Sequence, residues 1–323
     1  EATGVYYENC AMYLHNKGFS ISVILPNHAK KYLQASGHKS KNDKIDAKGL
    51  AQMGAEKSLK VWEPMGEYFY QLRALTRHYE DLQQLKTMMG NRVHANMNGM
   101  YINTEVGKQI KAHISLLNKQ LAASERAIKE HISSNAEVCR KVNGICNIKG
   151  VGLLSVATIL AETKGFLLFE NARQLVSFAG YDAVENQSGN HHGRTRISKR
   201  GNSHIRRILF MPAFSVVRYE EAPFKDLYER TFAKHGIKMK SYVAVQKKLL
   251  VIIYALWKKD EAYVAKHTEK QETEPSLGLA AKADSEIKKV GEKQVVPAIL
   301  PALHKVNMPL KQSTYASSRV RQI

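Results

Sequence analysis

Between Ser188 and Arg207 the chain reads SGNHHGRTRISKRGNSHIRR, with six Arg or Lys residues and no Asp or Glu. A hydroxyl, Ser198, lies in the middle of this positive field. Cationic groups packed so densely repel one another unless an anion is close. A nucleic-acid backbone is the obvious anion. Gly189, Gly193 and Gly201 divide the run into turns. A solvated basic loop is the simpler reading. The hydroxyl, the glycines and the absence of any acid point instead to a phosphate-handling site.

Two further stretches carry chemistry. In KSKNDKIDAKGLAQM, Asp43 and Asp46 are three residues apart and share one face of a helix. One reading is ordinary helix-start chemistry, with Asp43 as N-cap and Asp46 as a first-turn acid. The other is a divalent-cation site completed by Glu1 from a strand end. Mg²⁺ suits such a site because it takes a few carboxylates together with waters and phosphate. In ICNIKGVGLLSVATILAE, Gly150 and Gly152 precede an apolar helix. This is similar to a helix-hairpin-helix element, whose glycines bring backbone N–H groups to a DNA phosphate. A plain tight turn is the alternative. The spaced Gly-Lys-Ser/Thr of a P-loop is missing.

The elements that must position these residues follow from periodicity. Residues 1–36 read as strand end, helix, strand (Phe19 to Pro26) and helix, which predicts an α/β layer. Pro64 closes this region. Over 65–140, Leu72, Leu75, Tyr79, Leu82, Met89 and Val93, then Ile110, Ile114, Leu117, Leu121 and Ile128, recur at heptad-like spacing. They predict two long helices in a hairpin, a coiled-coil arm, with Lys86, Asn96 and Ser124 weakening the seam. Residues 141–266 read as a small helical domain. From about His267, Lys, Glu, Gln and Ser with four prolines predict a disordered tail.

A net charge of +20 favours a polyanionic partner. Cys10, Cys139 and Cys146 form no CxxC pair, which fits a reducing cytosol. Leu249 to Trp257 is too short to span a bilayer and reads as a buried helix. The opening EATGVYYENC, without an initiator Met, reads as the inside of a domain.

Taken in order, EATGVYY, KNDKIDAKGLA, the GVG helix start and GRTRISKRGNSHIRR resemble the DEDD transposases of insertion sequences. That family includes Piv-type DNA invertases and bridge-RNA-guided recombinases. The resemblance covers residues 1 to about 260. It implies a RuvC-like (RNase H-type) acidic domain over 1–64 that lacks its N-terminal part. It also implies a coiled-coil hairpin over 65–140 and a mostly helical transposase domain over 141–266. Residue by residue, Glu1, Asp43 and Asp46 match the family's metal-binding, catalytic acids, and Ser198 matches its serine nucleophile. The family's first aspartate has no counterpart here, so a first domain of marginal stability is expected. Mg²⁺ is the implied cofactor. DNA, a guide RNA and further copies of the chain (dimer or tetramer) are the implied partners, in a bacterial or archaeal cytoplasm beside the nucleoid. Lys149, Gly150, Gly152, Arg194, Arg196, Lys199, Arg200, Arg206 and Arg207 are the expected nucleic-acid contacts. Two other classes stay open: a metal-dependent nuclease in which water attacks, and an inactive nucleic-acid-binding remnant.

Overall fold

A computed structural model describes residues 1–37, 42–185, 187–193 and 195–264. Arg194 and the tail expected from His267 lie outside the described residues. The described chain is mostly helical.

Residues 1–64 hold three helices: α1 (Glu8–Asn16), α2 (Pro26–Ala35) and α3 (Asp43–Glu56). The α/β layer expected here is not formed, because the described residues of this region include no strand. Phe19 to Leu25 is held at its flanks by single bonds: Ala2 N–H donates to Ile24 O (2.9 Å) and Trp62 N–H to Ile21 O (2.7 Å). Carbonyls alternate sides along an extended chain, so positions 21 and 24 bond opposite neighbours. One bond per side is too little to make a ladder. Of the apolar side chains here only Ala11 and Ala29 are fully buried, while Val5, Tyr6, Tyr13, Phe19 and Val61 are exposed.

The expected helical hairpin is present as α4 (Glu67–Met97) and α5 (Thr104–Ser133). Asn96 ties its tip, donating from Nδ2 to Asn103 O (2.9 Å) and accepting from Asn103 N–H (3.3 Å). Leu82, Leu117 and Leu121 form a small outer seam. Nearer the base, Ser124 Oγ is buried with no partner among the described residues. Leu72, Ile128 and Ile132 belong to the main core.

That core is built by α6 (Ala136–Cys146), α7 (Leu153–Thr163), α8 (Ala172–Ala179), α9 (Ser203–Ile208), α10 (Phe210–Arg218), α11 (Ala222–His235) and α12 (Lys238–Lys259). The most enclosed helix is α7, buried from Ser155 to Thr163 except at Thr158. The apolar run of α12 buries Leu249, Leu250, Ile253, Tyr254 and Trp257. Each such side chain contributes about 1.5–3 kcal/mol on leaving water. No helix among the described residues is long and apolar enough to cross a membrane. Asn caps recur: Asn42, Asn103, Asn135, Asn171 and Asn202 each accept from the N–H three residues on. Such a cap is worth about 1 kcal/mol over alanine. Asn42, rather than Asp43, therefore caps α3.

The basic run begins in a β-ribbon that its charge pattern does not announce and ends in α9. Strands β1 (Ala183–Val184) and β4 (Arg196–Ile197) pair antiparallel, with Ala183 opposite Ile197. Beyond them β2 (Gln187–Ser188) and β3 (His191–His192) pair around a Gly189-Asn190 turn. A Gly-Asn pair is a hairpin signal.

Candidate active site

Ser198 follows directly on β4, at the base of the ribbon. Its N–H donates to Asp182 O (2.8 Å), and Lys199 N–H donates to Gly180 O (3.1 Å). Lys199 is left-handed (φ 52°), a conformation costing a non-glycine residue about 1 kcal/mol. Strain of this kind persists only where surroundings over-determine it. Here they do. At Gly201 an added Cβ would lie 2.3 Å from Phe178 O and 2.7 Å from Gly180 N, so only glycine lets the turn press against the end of α8. Asn202 N–H then donates to Phe178 O (2.7 Å). Tyr181, fully buried, donates from its hydroxyl to Gln246 of α12 (3.0 Å) and anchors the other side of the turn.

The Ser198 hydroxyl is half-buried and accepts from Arg200 N–H (3.3 Å), which leaves its own proton free to be donated. Its chain neighbours Arg196, Lys199 and Arg200 are exposed and make no ion pair among the described residues. Arg206 and Arg207 are placed differently. Arg206 is half-buried and donates from Nη1 to Ala179 O (2.7 Å) and Asn202 O (3.2 Å), clamping the end of α8. Arg207 pairs with Glu80 of α4, which also holds His204 Nδ1.

A third group was not singled out in the sequence. The Glu162 carboxylate, near the end of α7, has a side chain only 2% exposed. It receives Arg77 Nε on Oε1 (2.8 Å) and Arg77 Nη2 on Oε2 (3.0 Å), and Asn202 Nδ2 also donates to Oε2 (2.6 Å). Burial pushes its pKa up. The hydrogen bonds from Arg77 and Asn202, with the charges of Arg77 and His204, more than offset this and hold it below the ordinary carboxylate value.

At the expected helix-hairpin-helix turn, Gly150 (φ 97°) packs on α10, where a Cβ would lie 2.7 Å from Ser215 Cβ. Its glycine serves close packing. Gly152 is the exposed N-cap of α7, with open space beside it and no side-chain cap on the helix. Lys149 is exposed beside it.

The acids expected to bind Mg²⁺ are placed less favourably. Asp43 is exposed and Asp46 half-buried in the first turn of α3, and Glu1 is exposed ahead of α1. Among the described residues no group of three His, Cys, Asp or Glu side chains is close enough to hold an ion. The donor set for Mg²⁺ is therefore not assembled by Glu1, Asp43 and Asp46 in this structure.

Sequence comparison places this site among known proteins. Residues 143–229, which hold α7, the ribbon and Ser198, match the family described as "Transposase IS116/IS110/IS902 family". Residues 1–102 match the IS110-type DEDD family, described as a transposase. Over 264 residues the chain is 26% identical to the pilin gene-inverting protein of Moraxella bovis, covering 81% of this chain and 80% of that protein. It matches the protein of the same name from Moraxella lacunata to the same extent. The transposase for insertion sequence element IS1111A of Coxiella burnetii is 23% identical over 271 residues, 76% of this chain and 73% of that protein. The protein is an enzyme that acts on DNA. It belongs to the DEDD transposases of the IS110 type.

Proposed function

We propose that this transposase is a site-specific DNA recombinase in which Ser198 is the nucleophile. The reading rests on one observation: a hydroxyl on a strained, hydrogen-bonded turn, flanked in the chain by the exposed cations Arg196, Lys199 and Arg200. The Ser198 oxygen attacks a DNA phosphorus, an O–P bond forms and the P–O3′ bond breaks. The serine proton leaves with the departing 3′-oxygen. Arg196, Lys199 and Arg200 offset the charge that gathers on the phosphorane oxygens, and the turn holds the oxygen in place before reaction. Reversal on a different 3′-hydroxyl rejoins the strands. The phosphoserine link conserves the bond energy, so the cycle needs no nucleotide hydrolysis.

Residues 1–64 serve in this reading as the domain that carries the acids, 65–140 as a coiled-coil arm and 141–266 as the serine-bearing domain. Lys149 and the uncapped start of α7 meet a backbone phosphate, in the manner of a helix-hairpin-helix element. The family resemblance supports Mg²⁺ at Glu1, Asp43 and Asp46. Because those acids are not assembled here, no step is derived through the ion. The charge excess and the resemblance support an RNA guide and assembly of several copies.

The decisive experiment is adduct formation. Incubated with labelled DNA flanking its reading frame, the protein is expected to form a complex that survives denaturing electrophoresis. Ser198→Ala should abolish the complex while keeping DNA affinity within about twofold. An adduct that persists in Ser198→Ala would overturn the assignment. Strand cleavage without an adduct would favour a nuclease in which water attacks. Specific recombination by RNA-free protein would overturn the guide.

A further inference from the structure

Glu162 takes no part in the chemistry above, yet it is the most completely enclosed acid near Ser198. A carboxylate so buried is strongly unfavourable without partners. Here it has two, and they come from elements far apart in the chain: Arg77 on α4 and Asn202 at the exit of the Ser198 turn. Asn202 has three duties at once. Its N–H holds Phe178 O, its Oδ1 caps α9, and its Nδ2 donates to Glu162. One helical turn beyond Arg77, on the same face of α4, Glu80 grips His204 and Arg207. The segment that leaves the turn is thus fastened to α4 at two levels.

We propose that Glu162 is a positioning residue for the Ser198 turn, joining it through Arg77 to α4. The Arg77–Glu162–Asn202 chain makes the helical arm and the nucleophile one rigid body, so that the arm's placement sets where the serine oxygen sits. The catalytic consequence rests on Ser198 being the nucleophile; the mechanical link between turn and arm does not.

Two variants of the full chain test this. Glu162→Gln keeps the volume and removes the charge. Asn202→Ser keeps a good N-cap for α9 and removes the donor to Glu162. Hydrogen exchange of the Ser198, Lys199 and Asn202 amides is compared with that of Val245–Trp257. Both variants are expected to speed exchange at the turn by about tenfold or more, as loss of a charge-assisted bond implies, and to leave α12 within about twofold. Adduct formation at saturating DNA should slow by a similar factor with affinity unchanged.

Unchanged exchange at the turn in Asn202→Ser would overturn the proposal. So would equal acceleration at the turn and α12, which would make Glu162 a general stabiliser. If Glu162→Gln does not fold, Asn202→Ser decides alone. A turn that loosens while Ser198→Ala still forms an adduct would leave the link standing and remove the nucleophile assignment.

Discussion

Arg77 and Glu162 meet fork to fork, with Nε 2.8 Å from Oε1 and Nη2 3.0 Å from Oε2, across 85 residues of sequence. The pair joins the arm helix α4 to α7, the most enclosed helix of the core. Arg77 is 45% exposed and Glu162 only 2%, so the acid bears most of the desolvation. Removing the arginine would strand a buried charge, which generally costs more than the intact pair contributes.

The pair gives stability a defined pH dependence. Glu162 titrates below the ordinary carboxylate value of 4.5 in the folded chain. A depressed acid contributes stability that is fully present above its unfolded value and is lost as pH falls through the folded one. Urea melts are expected to show a steeper loss of stability below about pH 4.5 in the wild type than in Glu162→Gln. Parallel curves would show that the carboxylate is not the group being protonated.

Close approach at Gly201 sets a contrast between two glycines. Gly201→Ala drives a Cβ into Phe178 O and is expected to cost about 3 kcal/mol. Gly54→Ala, inside α3 with open space around it, should stabilise by about 0.5–1 kcal/mol. Chemical denaturation of the two variants measures both signs.

DNA binding should weaken steeply with salt, since phosphate contacts release counterions. Alanine at Arg196, Lys199 or Arg200 should each lower the log–log salt slope by about one. Arg207→Ala should change it less, because Arg207 is already paired with Glu80. Fluorescence anisotropy titrations over a salt series separate the two groups.

Thiol reactivity reports on the core. Burial pushes the Cys146 thiol up to about 11, so about one molecule in a thousand is thiolate there at pH 8. Cys10 is exposed. Alkylation at pH 8 followed by peptide mass spectrometry should find Cys10 modified well before Cys146. Equal rates would mean that α6 opens readily.

What the sequence determined by itself was local. The acid-free basic run, the GVG entry to α7, the apolar stripe of α12 and the paired heptads of α4 and α5 are patterns of neighbouring residues. Each reports the local environment that its side chains require. The turn at Gly189 was legible in the same way, whereas the strand pairing on either side of it was not. Phe19 to Leu25 is the opposite case. Its alternation suited a strand, but a strand is completed by neighbours, and here each side supplies a single bond.

Tertiary structure alone decided which cations are free and which are spent. Arg200 and Arg207 look alike in sequence, and only the fold brings Glu80 to one of them. It alone made Glu162 important, because a lone acid near the end of an apolar helix carries no sign of partners 85 and 40 residues away. Electrostatic energy depends on distance and burial, and for residues so far apart in the chain both are set by the fold.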